Sequence, residues 1–120
     1  MAQILIIEDD VTLQKVYSEV LKQHEHSVIV VGSGPEGMRV FAQNPIDLIL
    51  LDIMLPGGMN GFDILSQLKR DEALKNIPVI VLTNLDSETQ TAMDYGAADF
   101  LFKATLELNT LVQKVNDHLQ

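Results

Sequence analysis

Ile4-Leu5-Ile6-Ile7-Glu8-Asp9-Asp10 is the stretch on which the fold turns. Four consecutive apolar residues show no polar alternation, so a strand made from them is expected to be buried on both faces. Three acids at its end mark where the chain leaves that burial. The same signature returns at Val28 to Val31, Ile46 to Leu51, Val79 to Leu82 and, more weakly, Phe100 to Phe102. Between these runs lie segments of helical period. Leu13, Val16, Tyr17, Val20 and Leu21 form one apolar stripe, and Leu108, Leu111, Val112, Val115 and Leu119 form another. Strand and helix alternate with short links, which predicts an α/β domain: a five-stranded parallel sheet wrapped by helices on both faces, the doubly wound class.

Helix boundaries agree with this order. Ser33 followed by Glu36 reads as a capping box, Pro35 is tolerated in a first helical turn, and Gly96 follows the segment Thr89 to Tyr95 where a C-terminal glycine is wanted. A third helix is expected from Phe62 to Arg70, with Ile64, Leu65 and Leu68 on one face. No internal repeat, low-complexity tract or linker interrupts the pattern, so one domain is expected over residues 1–120.

Composition narrows the function. With 47% hydrophobic and 21% charged residues the chain has an ordinary globular balance. A formal charge of −9 and only eight Lys and Arg argue against a nucleic-acid surface, because phosphate backbones are held through clustered cations. The absence of cysteine excludes disulfides, thiolate metal sites and a cysteine nucleophile. No apolar run approaches the roughly 20 residues needed to span a bilayer, and the N-terminus lacks the pattern of a signal peptide. A cytoplasmic location is the expectation.

In open parallel sheets the ligand site lies outside the carboxyl ends of the strands, where the strand order reverses. The residues that follow the strands are therefore the candidates: Glu8, Asp9 and Asp10, then Asp52, then Thr83 and Asn84, then Lys103. Carboxylates gathered at one sheet edge repel one another unless a cation joins them. Magnesium suits such a place, since it takes hard oxygen ligands and is usually held by one or two carboxylates plus a phosphate. Asp52 could then act as a nucleophile toward a phosphoryl group, forming an aspartyl phosphate. The Lys103 ammonium would neutralise the phosphoryl oxygens, and the Thr83 hydroxyl could donate to one of them.

Four motifs in order carry a family resemblance: Leu5-Ile6-Ile7-Glu8-Asp9-Asp10, then Leu50-Leu51-Asp52-Ile53-Met54-Leu55-Pro56 with Gly61, then Val81-Leu82-Thr83, then Gly96-Ala97-Ala98-Asp99-Phe100-Leu101-Phe102-Lys103. Along essentially its whole length the chain resembles a receiver domain of two-component response regulators. The resemblance implies a flavodoxin-like sheet of order 2-1-3-4-5 and a signalling switch rather than an enzyme with an external substrate. It further implies a histidine kinase or histidine phosphotransfer protein as donor and a protein as downstream partner. By position, the family's acidic pair falls on Glu8 and Asp9, its phosphoacceptor on Asp52, its switch hydroxyl on Thr83, its switch aromatic on Phe100 and its lysine on Lys103. Asp9, Asp52 and the Met54 carbonyl are the implied direct ligands of Mg2+, with Glu8 acting through a metal-bound water. Asp10 lies beyond the pair and reads as a helix N-cap.

The chain departs from the family pattern in three places. The loop Pro56 to Gly61 is longer by about one residue, the segment Thr83 to Lys103 is shorter by about two, and Ala104 stands where proline is usual. The second departure is expected to reshape the fourth helix. The third matters if the Lys103-Ala104 peptide is cis, which without proline costs about 3 kcal/mol. Two other functions compete. A magnesium phosphohydrolase commonly needs a second carboxylate two residues after its nucleophile, where this chain has Met54. A degenerate receiver that only binds partners would be expected to lack Asp52, Lys103 or the acidic pair, and all are present. The chain reads as either a stand-alone regulator or a receiver cut from a longer one.

Overall fold

The period of two along a strand explains why each central strand carries four consecutive apolar residues. In β1 (Gln3–Ile7), Leu5 and Ile7 enter one core while Ile4 and Ile6 enter a second on the opposite face. The computed structural model, which describes residues 2–56 and 58–119, repeats this division in β3 (Leu48–Asp52) and β4 (Val79–Thr83). There Ile49, Leu51, Val79 and Val81 face the first core, and Leu48, Leu50, Ile80 and Leu82 the second. All eight side chains are 0% exposed.

Helices supply the outer wall of each core. Phe41 of α2 (Gly34–Gln43), Ile64, Leu65 and Leu68 of α3 (Gly61–Arg70) and Ala92 of α4 (Asp86–Asp94) close the first. Tyr17 and Leu21 of α1 (Val11–Gln23) and Leu111, Val112 and Val115 of α5 (Leu108–His118) close the second. With β2 (Ser27–Val31) and β5 (Asp99–Phe102) at the edges, the sheet is parallel throughout in the order β2-β1-β3-β4-β5. The predicted doubly wound class, strand order and helix count are all present.

Several boundaries differ from the sequence reading. The edge strands β2 and β5 are only partly buried, because each has a single neighbour and incomplete helical cover. β3 starts at Leu48 rather than Ile46 and runs on through Asp52. α4 starts at Asp86, three residues before the expected Thr89. Ser33 caps α2 through the Glu36 amide at 3.4 Å, but its hydroxyl bonds the Glu36 carboxylate at 3.2 Å, so the reciprocal half of the expected box is not formed. The complete box stands at α3, where Asn60 and Asp63 exchange backbone-to-side-chain bonds of 3.0 Å in both directions. Asp10 caps α1 as expected, accepting from the Leu13 amide at 3.1 Å. Every described peptide bond is trans, Lys103-Ala104 included, and Lys103–Thr105 instead forms one 3-10 turn. In the loop from Pro56 to Gly61, Gly58 has φ +79°, a left-handed backbone that glycine adopts freely, and Gly57 lies outside the described residues. Among the described residues no helix is long and apolar enough to cross a membrane.

Gly61 sets the distance between α3 and the end of β3. A Cβ there would lie 2.5 Å from the Asp52 carbonyl oxygen and 2.7 Å from the Ile53 Cα, both backbone atoms that cannot swing aside. Gly61→Ala is therefore expected to lower stability by about 1–3 kcal/mol, the usual cost of overpacking. Gly32→Ala, whose Cβ would meet nothing closer than 3.8 Å, serves as the control and should stay within about 0.5 kcal/mol. Urea midpoints of the two variants check this.

Candidate functional site

The site follows from register. Ile7 pairs with Leu51, Asp52 with Leu82 and Thr83 with Phe102, so Glu8, Asp52, Thr83 and Lys103 emerge at one edge of the sheet. The strand order reverses between β1 and β3, where ligand crevices form in this architecture. Backbone bonds hold the strand ends in place: the Glu8 amide donates to the Val31 carbonyl at 3.1 Å and the Ile53 amide to the Leu82 carbonyl at 3.2 Å.

Three carboxylates meet there. One oxygen from each of Glu8, Asp9 and Asp52 lies within 4.8 Å of the others. Glu8 is fully buried and Asp52 is 2% exposed, while Asp9 faces solvent. Lys103 Nζ reaches between the two buried acids, 2.7 Å from Glu8 Oε1 and 3.1 Å from Asp52 Oδ2. The other Asp52 oxygen, Oδ1, accepts from the Met54 amide at 3.1 Å.

Charge in this place is only partly balanced. Burial, then the contact with Asp52, pushes the Glu8 carboxyl above the ordinary carboxylate range, with Lys103 pulling it back in part. For Lys103 burial acts downward, but the Glu8 hydrogen bond and the Asp52 charge outweigh it and hold the ammonium above its usual value. The Tyr17 hydroxyl, buried in the second core, is pushed up to about 12 by desolvation and then by the Glu8 charge. One ammonium facing three carboxylates leaves a surplus of negative charge and hard oxygen donors. This donor set fits a divalent cation such as magnesium.

The remaining predicted residues take distinct places. Thr83 is buried, accepts from the Leu85 amide at 3.1 Å and donates its hydroxyl proton to the Glu88 carboxylate. Phe100 is partly buried against the first core, with its ring 5.6 Å from that of Phe102 and Lys114 Nζ 5.9 Å above it. Met54 and Leu85 are 71% and 53% exposed and flank a cleft of about 280 Å³ that Asp52, Thr83, Glu88 and Lys103 also line. Ala104 uses the amide that a proline would lack, donating to Asn84 Oδ1 at 2.9 Å and so tying the turn after Lys103 to the end of β4. Sequence reasoning placed Asn84 among the residues at the strand ends without giving it a role, and it missed Glu88. The early start of α4 was the signal that places Glu88 there.

With this geometry in view, comparison with known proteins is decisive. Residues 4–116 match the response regulator receiver domain. The chain belongs to that family. It is similar to protein PilH of Pseudomonas aeruginosa, with 36% identity over 118 residues, covering 97% of this chain and 96% of PilH. It spans only 26% to 52% of the length of several longer relatives. Among solved structures, a putative response regulator from Chloroflexus aurantiacus superposes with a TM-score of 0.93 at 28% identity, covering 98% of this chain and 97% of that one. The Mn(2+)-bound form of response regulator Rcp1 does so with a TM-score of 0.83, also at 28% identity, over 98% and 93% of the two chains. Membership implies two-component phosphorelay signalling with a histidine kinase partner, in a family whose stand-alone members are typically signalling switches. The acidic pocket of Glu8, Asp9 and Asp52 is one that could bind a metal.

The charge balance yields a test that needs no ligand. In metal-free buffer Asp52→Asn removes one negative charge and leaves the Lys103–Glu8 pair, so its stability should equal or exceed that of the wild type. Lys103→Met strands two buried carboxylates and should cost on the order of 3 kcal/mol at neutral pH. A carboxyl with a raised native pKa loses stability as pH rises through that value. The Lys103→Met deficit should therefore shrink on acidification toward pH 5, as denaturant titrations at the two pH values will show.

Proposed function

We propose that this receiver accepts a phosphoryl group on Asp52 from a phosphohistidine of a kinase or phosphotransfer protein, with Mg2+ as cofactor, and that the product state is read by a downstream protein. The observation that carries this reading is the Lys103 ammonium ion-paired with both Glu8 and Asp52 beside Asp9. It gathers a nucleophile, a fixed cation and a metal-competent acid pair at one sheet edge.

In this reading an Asp52 carboxylate oxygen attacks phosphorus, a P–O bond forms, the P–N bond to the donor imidazole breaks, and the imidazole leaves as a neutral ring after taking a proton. Asp9, Asp52 and the Met54 carbonyl would hold the magnesium, with Glu8 acting through a water, and the ion would neutralise charge on the phosphoryl oxygens. Lys103, already fixed by two carboxylates, is positioned to meet the same oxygens without reorganising. Thr83 would then donate to a phosphoryl oxygen, and Phe100 would respond on the β5 side. Location in the cytoplasm and the absence of direct nucleic-acid contact belong to the same proposal, the latter supported by the net charge of −9.

Intact mass after incubation with acetyl phosphate and magnesium should show one phosphoryl adduct in the wild type and none in Asp52→Asn. Magnesium alone should raise the melting point, by the equivalent of about 1.4 kcal/mol at tenfold excess over Kd, and Asp9→Ala should lose most of this gain. Turnover of a free phosphoester would instead favour a phosphohydrolase, and absence of any adduct a binding-only module.

The adduct should be long-lived for a receiver. Hydrolysis needs a water held in line with phosphorus, and the exposed side chains flanking the cleft, Met54 and Leu85, offer it no hydrogen bond. Loss of label at fixed magnesium should be faster in the Met54→Asn, Leu85→Glu double variant than in the wild type. Equal rates would show that water access at these positions does not limit the lifetime.

A further inference from the structure

Thr83 has one hydroxyl proton, and in this structure it is already committed. It goes to Glu88 Oε1, while Thr83 Oγ1 itself accepts from the Leu85 amide at 3.1 Å. The short link between β4 and α4 makes this possible: α4 begins at Asp86, which places Glu88 in the first turn and over the strand end. Leu85 has no side chain able to cap the helix, so the Thr83–Glu88 bond and the Leu85 amide bond together secure this terminus. Little else anchors α4, whose only fully buried residue is Ala92. Glu88 lines the same cleft as Asp52 and Lys103.

We propose that Glu88 is a latch on the resting state: its carboxylate holds the Thr83 proton, and a phosphoryl group on Asp52 must take that proton away, freeing the first turn of α4. The inference rests on Asp52 being the phosphoacceptor. A hydroxyl can satisfy only one acceptor with its single proton, and a phosphoryl group brings three strong acceptor oxygens and about −1.5 to −2 charge. Once Thr83 turns to the phosphoryl group, Glu88 is left without its donor and faces a like charge across the cleft. Both changes favour its withdrawal, and the helix turn that carries it moves too. Glu88 is thus a positioning residue that acts through Thr83. A plain helix-end contact would hold α4 equally well but would not oppose the adduct.

The test uses beryllofluoride with magnesium as the phosphoryl mimic, and its apparent Kd as the readout. Glu88→Ala is expected to tighten binding roughly threefold to tenfold, the net scale of one ordinary intramolecular hydrogen bond. Glu88→Gln keeps an acceptor but loses the charge, and should fall between wild type and Glu88→Ala. In a Thr83→Ala background, the effect of Glu88→Ala should drop to less than half, since there is no proton left to contest. Amide resonances of Asp86 to Thr89 in unliganded Glu88→Ala should also lie closer to those of the adduct-bound wild type. An unchanged Kd in Glu88→Ala would reduce the contact to a helix cap and overturn the latch. The same tightening with and without Thr83 would overturn it too, since bare charge repulsion would then suffice. If the wild type itself took up no beryllofluoride, the phosphoacceptor reading would fall and the latch with it.

Discussion

The ion pair from Lys103 to Glu8 and Asp52 is the constraint around which the rest of the sheet edge is arranged. Two carboxylates buried side by side are unstable as a charged pair, and burial has already pushed Glu8 upward. A single ammonium makes the arrangement tolerable without completing it. That incompleteness is useful, because a fully neutralised site would have little reason to bind a cation or to receive a phosphoryl group. Stability here is given up at the strand ends and recovered in the two apolar cores beneath them, where twelve side chains of β1, β3 and β4 lie entirely out of water.

The placement of these charges depends on backbone geometry more than on side-chain reach. Gly61 lets α3 approach the end of β3, and its amide donates to the Ile53 carbonyl at 2.9 Å, so the residue after Asp52 is held from both sides. Asn84 does the corresponding work at β5 by accepting from the Ala104 amide. Where the family usually has proline to stiffen the turn after the lysine, this chain has a hydrogen bond instead, and the peptide stays trans. Lys103 therefore reaches its partners from a turn held by an interaction between loops.

Much of the site was legible in the sequence because it follows from two periodicities. An apolar run that fails to alternate marks a strand buried on both faces, and the first polar residue after such a run marks the edge; Glu8, Asp52, Thr83 and Lys103 all lie at that edge of the structure. The partial exposure of β2 and β5 was not legible, since composition does not say which strand has one neighbour. The Asn60–Asp63 capping box escaped notice because it uses an amide and a short acid where Ser or Thr with Glu or Gln is the usual signature. Glu88 was invisible for a different reason. Its importance depends on where α4 begins, and the residue before that start, Leu85, has no side-chain cap that would mark it in the sequence.

Two separate controls emerge at the cleft beside Asp52, and their positions explain why they need not interfere. Met54 and Leu85 are exposed at its margin, where in the proposed reading they would limit the approach of water from outside. Thr83 is 2% exposed, and the bond it gives Glu88 would act from the protein side, on the balance between the two proposed arrangements of the same residues. In the proposed reading a change at the margin alters how long the phosphoryl state persists, whereas a change at Glu88 alters how strongly that state is favoured while it lasts. Rate and equilibrium would then be tunable by different residues on opposite sides of one acceptor. A receiver built this way could be matched to a slow or a scarce partner without rebuilding the charged cluster that would perform the proposed transfer.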